Sequence, residues 1–139
     1  MYDNRLGIKG NFYAGKFGIE RYLYSLHRIS GLGLIIYLLL HIVVTSFRLG
    51  GFDAWTKVMG TVDNPIFKFG EFLVVVAGVF HGLNGLRLIL TEFGYFIGKP
   101  ERQEYPYKYS TLKQRPLMYF LMILALVGIV ISVYDIYLA

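Results

Sequence analysis

The stretch that decides the architecture is Phe72–Leu90, FLVVVAGVFHGLNGLRLIL: a long apolar run interrupted only by His81, Asn84 and Arg87 among residues able to bond or ionise. A run of this length reads as a membrane-spanning helix, because only a helix satisfies its own backbone groups inside lipid. Two more such runs occur. Ile29–Phe47 is apolar apart from Ser30, His41, Thr45 and Ser46, and at 1.5 Å per residue it covers roughly 28 Å, enough to cross the hydrocarbon. Leu117–Val133 contains no ionisable residue at all. The expected fold is therefore an all-α membrane protein with three transmembrane helices. They fall at about residues 29–48, 66–93 and 116–138 of a single membrane-anchor domain covering 1–139.

The bulk composition agrees. Of 139 residues, 55% are hydrophobic, and the charged ones cluster between the apolar runs. The net charge of +5 is no nucleic-acid signal here, since the basic residues flank membrane spans. Absence of cysteine excludes disulfides, thiolate zinc sites, cysteine-ligated iron–sulfur clusters and cysteine nucleophiles within the chain. No glycine-rich nucleotide loop follows a strand pattern. Redox chemistry, if present, then requires a cofactor held by histidine or a partner subunit.

Outside the spans lie three polar segments. Residues 1–28 interleave Arg5, Lys9, Lys16, Arg21 and Arg28 with Phe12, Tyr13, Phe17, Tyr22 and Tyr24, the pattern of an amphipathic lead-in at a membrane surface. Residues 48–65 read as a short loop. The second loop carries Lys99, Pro100, Glu101, Arg102, Glu104, Pro106 and Lys108. The basic residues are unequal by side. The N-terminal segment has five, the second loop and its flanks six (Arg87, Lys99, Arg102, Lys108, Lys113, Arg115), and the first loop and its flanks three (Arg48, Lys57, Lys68). The positive-inside rule then puts the N-terminus in the cytoplasm and the C-terminus outside. A cleaved signal peptide would lie nearer the terminus, and an Arg- and Ser-rich transit sequence is missing. The expected location is a prokaryotic plasma membrane, with the chain multi-pass and its N-terminus mature.

His81 is the sharpest chemical feature. An imidazole in mid-membrane needs a partner. Gly78 and Gly85 lie about 60° and 40° from it around the helix, which leaves a flat slot where a porphyrin fits with the imidazole on its iron. The bland alternative is a histidine bonded to a neighbouring helix, with the glycines serving close packing. Arg87 either pairs with a haem propionate or snorkels to headgroups. His41 shares a helical face with His27, Ser30, Leu34, Tyr37 and Thr45. Three readings of it stand side by side: a second haem, a haem shared with His81, or a core hydrogen bond. His27 and Arg28, with Tyr24, Ser25 and Ser30 around them, suit propionates or the carbonyl oxygens of a quinone, and equally an interfacial anchor of basic and tyrosine residues. The glycines of the second helix (Gly70, Gly78, Gly82, Gly85) point to close packing and hence to partner chains in a heteromeric bundle.

The strings SLHRISG (residues 25–31) and FHGLNGLRLILTEFGY (residues 80–95) together resemble the larger cytochrome b membrane-anchor subunit of succinate dehydrogenase (succinate:quinone oxidoreductase). The likeness covers roughly residues 21–96. It rests on HR-x-[ST]-G at the start of helix one and H-x-x-x-G-x-R in helix two. The resemblance implies that His81 is the axial ligand of haem b, followed by Gly85 and Arg87. It also implies that His27 and Arg28, with Ser30 and Gly31, lie near the propionates and the quinone site. Some members have a quinone-site serine three residues before the motif histidine, where this chain has Tyr24 next to Ser25. His41 resembles the helix-one histidine of two-haem members, so either one haem or two is implied. The resemblance further implies a complex: a flavoprotein subunit, an iron–sulfur subunit and a second small anchor giving the opposite axial ligand. This chain would pass electrons to membrane quinone, while succinate is oxidised in the partner subunits. Two alternatives compete: a cytochrome b subunit of another membrane oxidoreductase, such as a formate dehydrogenase or hydrogenase, and a haem-free structural anchor. No nucleic-acid partner is expected.

Overall fold

The computed structural model describes Gly7, residues 18–99, Arg102 and residues 109–138. The proposed lead-in up to Phe17, and most of the second loop, lie outside the described residues. Among those described there are helices and turns and no strand. Helix α1 spans Glu20–Ser46, α2 Phe52–Val62, α3 Pro65–Glu92 and α4 Arg115–Tyr137, with 3₁₀ turns at Phe47–Gly50 and Ser110–Gln114. Among the described residues three helices are long and apolar enough to cross a membrane: Glu20–Gly50, Pro65–Glu92 and Ser110–Tyr137. The chain divides into two compact units, residues 1–61 and 62–139.

In the first unit α1 begins at Glu20, ahead of the apolar run. Residues 20–28 contain neither glycine nor proline, so nothing interrupts the helix as it passes from polar to apolar sequence. Tyr24, Ser25, His27 and Arg28 are thus held on helical geometry rather than on a flexible lead-in. Past Ser46 the chain tightens through Phe47–Gly50 and turns at Gly51, whose φ of 89° suits glycine. A Cβ on Gly50 would sit 2.9 Å from that of Ala54. This sharp corner starts α2. Residues 48–65, expected as a loop, therefore contain an 11-residue helix.

The second unit is an antiparallel helix pair. Helix α3 is opened by Asn64, whose Oδ1 accepts from the backbone N–H groups of Ile66 (3.0 Å) and Phe67 (3.2 Å), with Pro65 at the first helical position, where it loses no bond. It closes in a Schellman motif: Gly94 has φ +83°, its N–H donates to Thr91 O and that of Tyr95 to Leu90 O, each at 3.0 Å. Helix α4 turns one stripe of side chains inward, Met118, Leu121 and Ala125, spaced by three and four residues as a helix face requires. The stripe continues to Gly128, where a Cβ would lie 3.2 Å from Val79 Cγ1. Further along, the Tyr137 ring meets Phe72 edge-on at 6.0 Å. The pairs Val79–Gly128 and Phe72–Tyr137 fix an antiparallel register.

Most apolar side chains remain uncovered. Leu32, Leu39 and Ile42 on α1 are each more than 60% exposed, as are Leu126 and Ile131 on α4. In water such surfaces aggregate; in a bilayer they meet lipid or neighbouring helices.

Candidate functional site

On α1 the expected site residues fall within two helical turns. The Arg28 guanidinium donates from Nη1 to the Tyr24 hydroxyl at 2.9 Å, an i, i+4 pair that helix geometry allows. The cations of Arg21 and Arg28 both lie 5.4 Å from the centre of the Tyr24 ring. Because Arg28 donates, the tyrosine oxygen accepts, and its own proton stays available to a ligand. Ser25 is buried, His27 is half-buried, and Ser30 Oγ donates back to His27 O at 3.1 Å. Ser30 thus directs its proton to the helix backbone.

His41 lies further along α1 and is exposed. Its Nδ1 is 3.4 Å from the Tyr37 hydroxyl, with the rings 5.5 Å apart. Its backbone oxygen accepts from Thr45 Oγ1 at 2.7 Å. If Nδ1–H donates to the tyrosine oxygen, Nε2 keeps a lone pair and can bind a metal; the opposite tautomer closes that option.

On α3, His81 is half-buried. Gly78, about 60° around the helix from it, has open space where a Cβ would be, with no atom within 4 Å; Gly85, the other glycine expected at the slot, is half-buried. Arg87 does not snorkel. It is 3% exposed, donates from Nε to Asn84 Oδ1 at 3.0 Å and from Nη1 to Gln114 Oε1 at 2.8 Å. Asn84 is fully buried, and its Nδ2 has no hydrogen-bond partner among the described residues. Gln114, also buried, closes the 3₁₀ turn before α4, so this network ties the end of α3 to the start of α4. Sequence reading missed Gln114. Its one signal is an amide at the edge of an apolar run. No group of three or more His, Cys, Asp or Glu suited to a metal ion occurs among the described residues; an axial haem ligand needs only one histidine from this chain.

The sequence matches the succinate dehydrogenase/fumarate reductase transmembrane subunit family over residues 5–130. The chain belongs to that family. It is 34% identical over 67 residues to a Mycobacterium tuberculosis protein named succinate dehydrogenase 2 membrane subunit SdhC, the match covering 48% of this chain and 49% of that one. The chain thus spans about half the length of that relative. A Halobacterium salinarum succinate dehydrogenase hydrophobic membrane anchor subunit is 26% identical over 91 residues, 65% of this chain and 70% of the other. No solved structure matches. The family match agrees with the resemblance carried by residues 25–31 and 80–95, and with three membrane-spanning helices.

Proposed function

We propose that this family member is a haem b-binding anchor of succinate dehydrogenase that passes electrons from an iron–sulfur subunit to membrane quinone. The observation that carries the reading is His81, midway along membrane-spanning α3, beside open space at Gly78. These two residues fit a planar ligand against the helix: the imidazole would hold the iron, and the missing side chain at Gly78 would admit the ring. The chemistry such a group supplies when bound is one-electron transfer.

This chain's own residues do the rest. The Asn84–Gln114 clamp fixes Arg87 with its charge buried, about two turns beyond His81, and ties that end of α3 to the start of α4. Tyr24 and Arg28 present a hydroxyl proton and a cation together, suited to a quinone carbonyl oxygen that gains negative charge on reduction. Tyr24 is then the donor in place of the serine of other members. Ser25 and His27 line the same turn. His41 is the residue on which a second haem would depend, in the tautomer whose Nδ1–H faces Tyr37.

The partners in this reading are a flavoprotein, an iron–sulfur subunit and a second small anchor providing the opposite axial ligand. Eleven basic residues against three favour a cytoplasmic N-terminus and second loop in a prokaryotic plasma membrane. The test is a pyridine haemochrome measurement on the intact complex, repeated for His81→Ala and His41→Ala. Haem is expected to be lost in the His81 variant. Unchanged haem there sinks the assignment, and no b-type bands in the wild type would leave a haem-free anchor. Loss of half the haem in each variant indicates two haems; loss of all in both indicates a shared or interdependent site.

A further inference from the structure

Helix α2 is accounted for by nothing in the redox reading. At 11 residues it is about 16 Å long, far too short to span a bilayer. At 100° per residue its side chains separate into two arcs. Ala54, Val58, Val62, Trp55, Met59 and Phe52 occupy one continuous arc of about 160°, and Thr56, Gly60, Asp53, Lys57 and Thr61 fill the other. On the apolar arc Phe52 is 78% exposed and Met59 is exposed as well. Trp55 is held in place by the Arg48 guanidinium, 4.5 Å from its ring centre.

Connectivity limits where this helix can lie. The chain enters α2 directly from the end of one membrane-spanning helix and leaves it into the start of the next, so α2 is confined to the membrane boundary. The apolar residues that precede and follow it in the chain, Leu49 at 92% exposure and Ile66 at 81%, are uncovered too. Tryptophan stacked with arginine is the chemistry of the headgroup level, one part apolar and one part charged. We infer that α2 is an interfacial helix lying in the plane of the bilayer, its Phe52–Trp55–Met59 face sunk into the boundary between headgroups and acyl chains. Residues 47–64 carry Arg48 and Lys57 against Asp53 and Asp63. They are neutral overall, so apolar burial holds the helix and anionic lipid is not required.

Trp55 is the only tryptophan in the chain, which gives the test a single reporter. The full chain in phosphatidylcholine proteoliposomes should emit to the blue of tryptophan in water. Lipid brominated near the headgroup end of the acyl chain should quench it more than lipid brominated near the chain terminus, with no dependence on salt. Moving the reporter to the polar arc (Trp55→Phe with Lys57→Trp) should weaken quenching at least about twofold, with helicity by circular dichroism confirming that the variant is folded. Water-like emission without quenching by brominated lipid overturns the inference, as does apolar emission without such quenching, which means protein covers the face. In native membranes, a photo-crosslinking phenylalanine analogue at Phe52 or Met59 should give no adduct with another polypeptide. An adduct with a partner chain or a second copy also overturns it.

Discussion

Gln114→Ala removes the acceptor 2.8 Å from Arg87 Nη1 while keeping a residue able to sit in the 3₁₀ turn. In soluble proteins a hydrogen bond to a charged group contributes about 1.5–3 kcal/mol. Inside membranes measured hydrogen bonds average about 0.6 and reach about 1.7 kcal/mol, because the unfolded chain also finds partners. Arg87 is 3% exposed, so no water replaces the lost amide, and the upper end applies. The expected cost is about 1.5 kcal/mol, roughly a tenfold shift in the unfolding equilibrium. The assay is a reversible detergent titration of the full chain followed by circular dichroism, as a double-mutant cycle with Arg87→Met. With the guanidinium gone, Gln114→Ala should cost less than about 0.5 kcal/mol, leaving a coupling near 1 kcal/mol. Equal costs in both backgrounds would show that Gln114 acts through packing alone and that the clamp does not exist.

Gly128→Ile drives a branched side chain at Val79, already 3.2 Å from a bare Cβ; the same titration should show a loss of about 1–3 kcal/mol, whereas Ile131→Val on the exposed side of α4 should be near neutral. Asn64→Ala strips the cap from two N–H groups and should cost about 1 kcal/mol, visible as faster hydrogen exchange in the first turn of α3. A reporter fused after Ala139 should behave as an exported domain, with alkaline phosphatase active and a cytoplasm-dependent fluorescent protein dark; the opposite pattern would reverse the orientation drawn from the basic residues.

The membrane helices were legible because their signals are local. Pro65 and Pro116 mark the starts of α3 and α4, Gly94 marks the stop of α3, and the apolar runs between them admit no other structure in lipid. Helix α2 was not legible as a helix from composition. Glycines at 50 and 51, and Asp53 soon after, are turn residues, and polar and apolar residues mix along its length. The order appears only when they are set around a helical axis.

The site divides along the same line. His81 announces itself because an imidazole among glycines in an apolar run has few uses, and both facts lie within one turn of helix. Arg87 does not, because a basic residue near a helix end usually snorkels, and what keeps it buried is an amide 27 positions away that meets it only through the antiparallel register set by Val79 and Gly128. This has a consequence for orientation. Arg87 belongs to the six basic residues assigned to the second-loop side, yet at 3% exposure it is no surface charge. Without it the imbalance is ten against three, and the orientation expected from the basic residues keeps its sign. Arg87 is left to fix the end of the helix that carries His81.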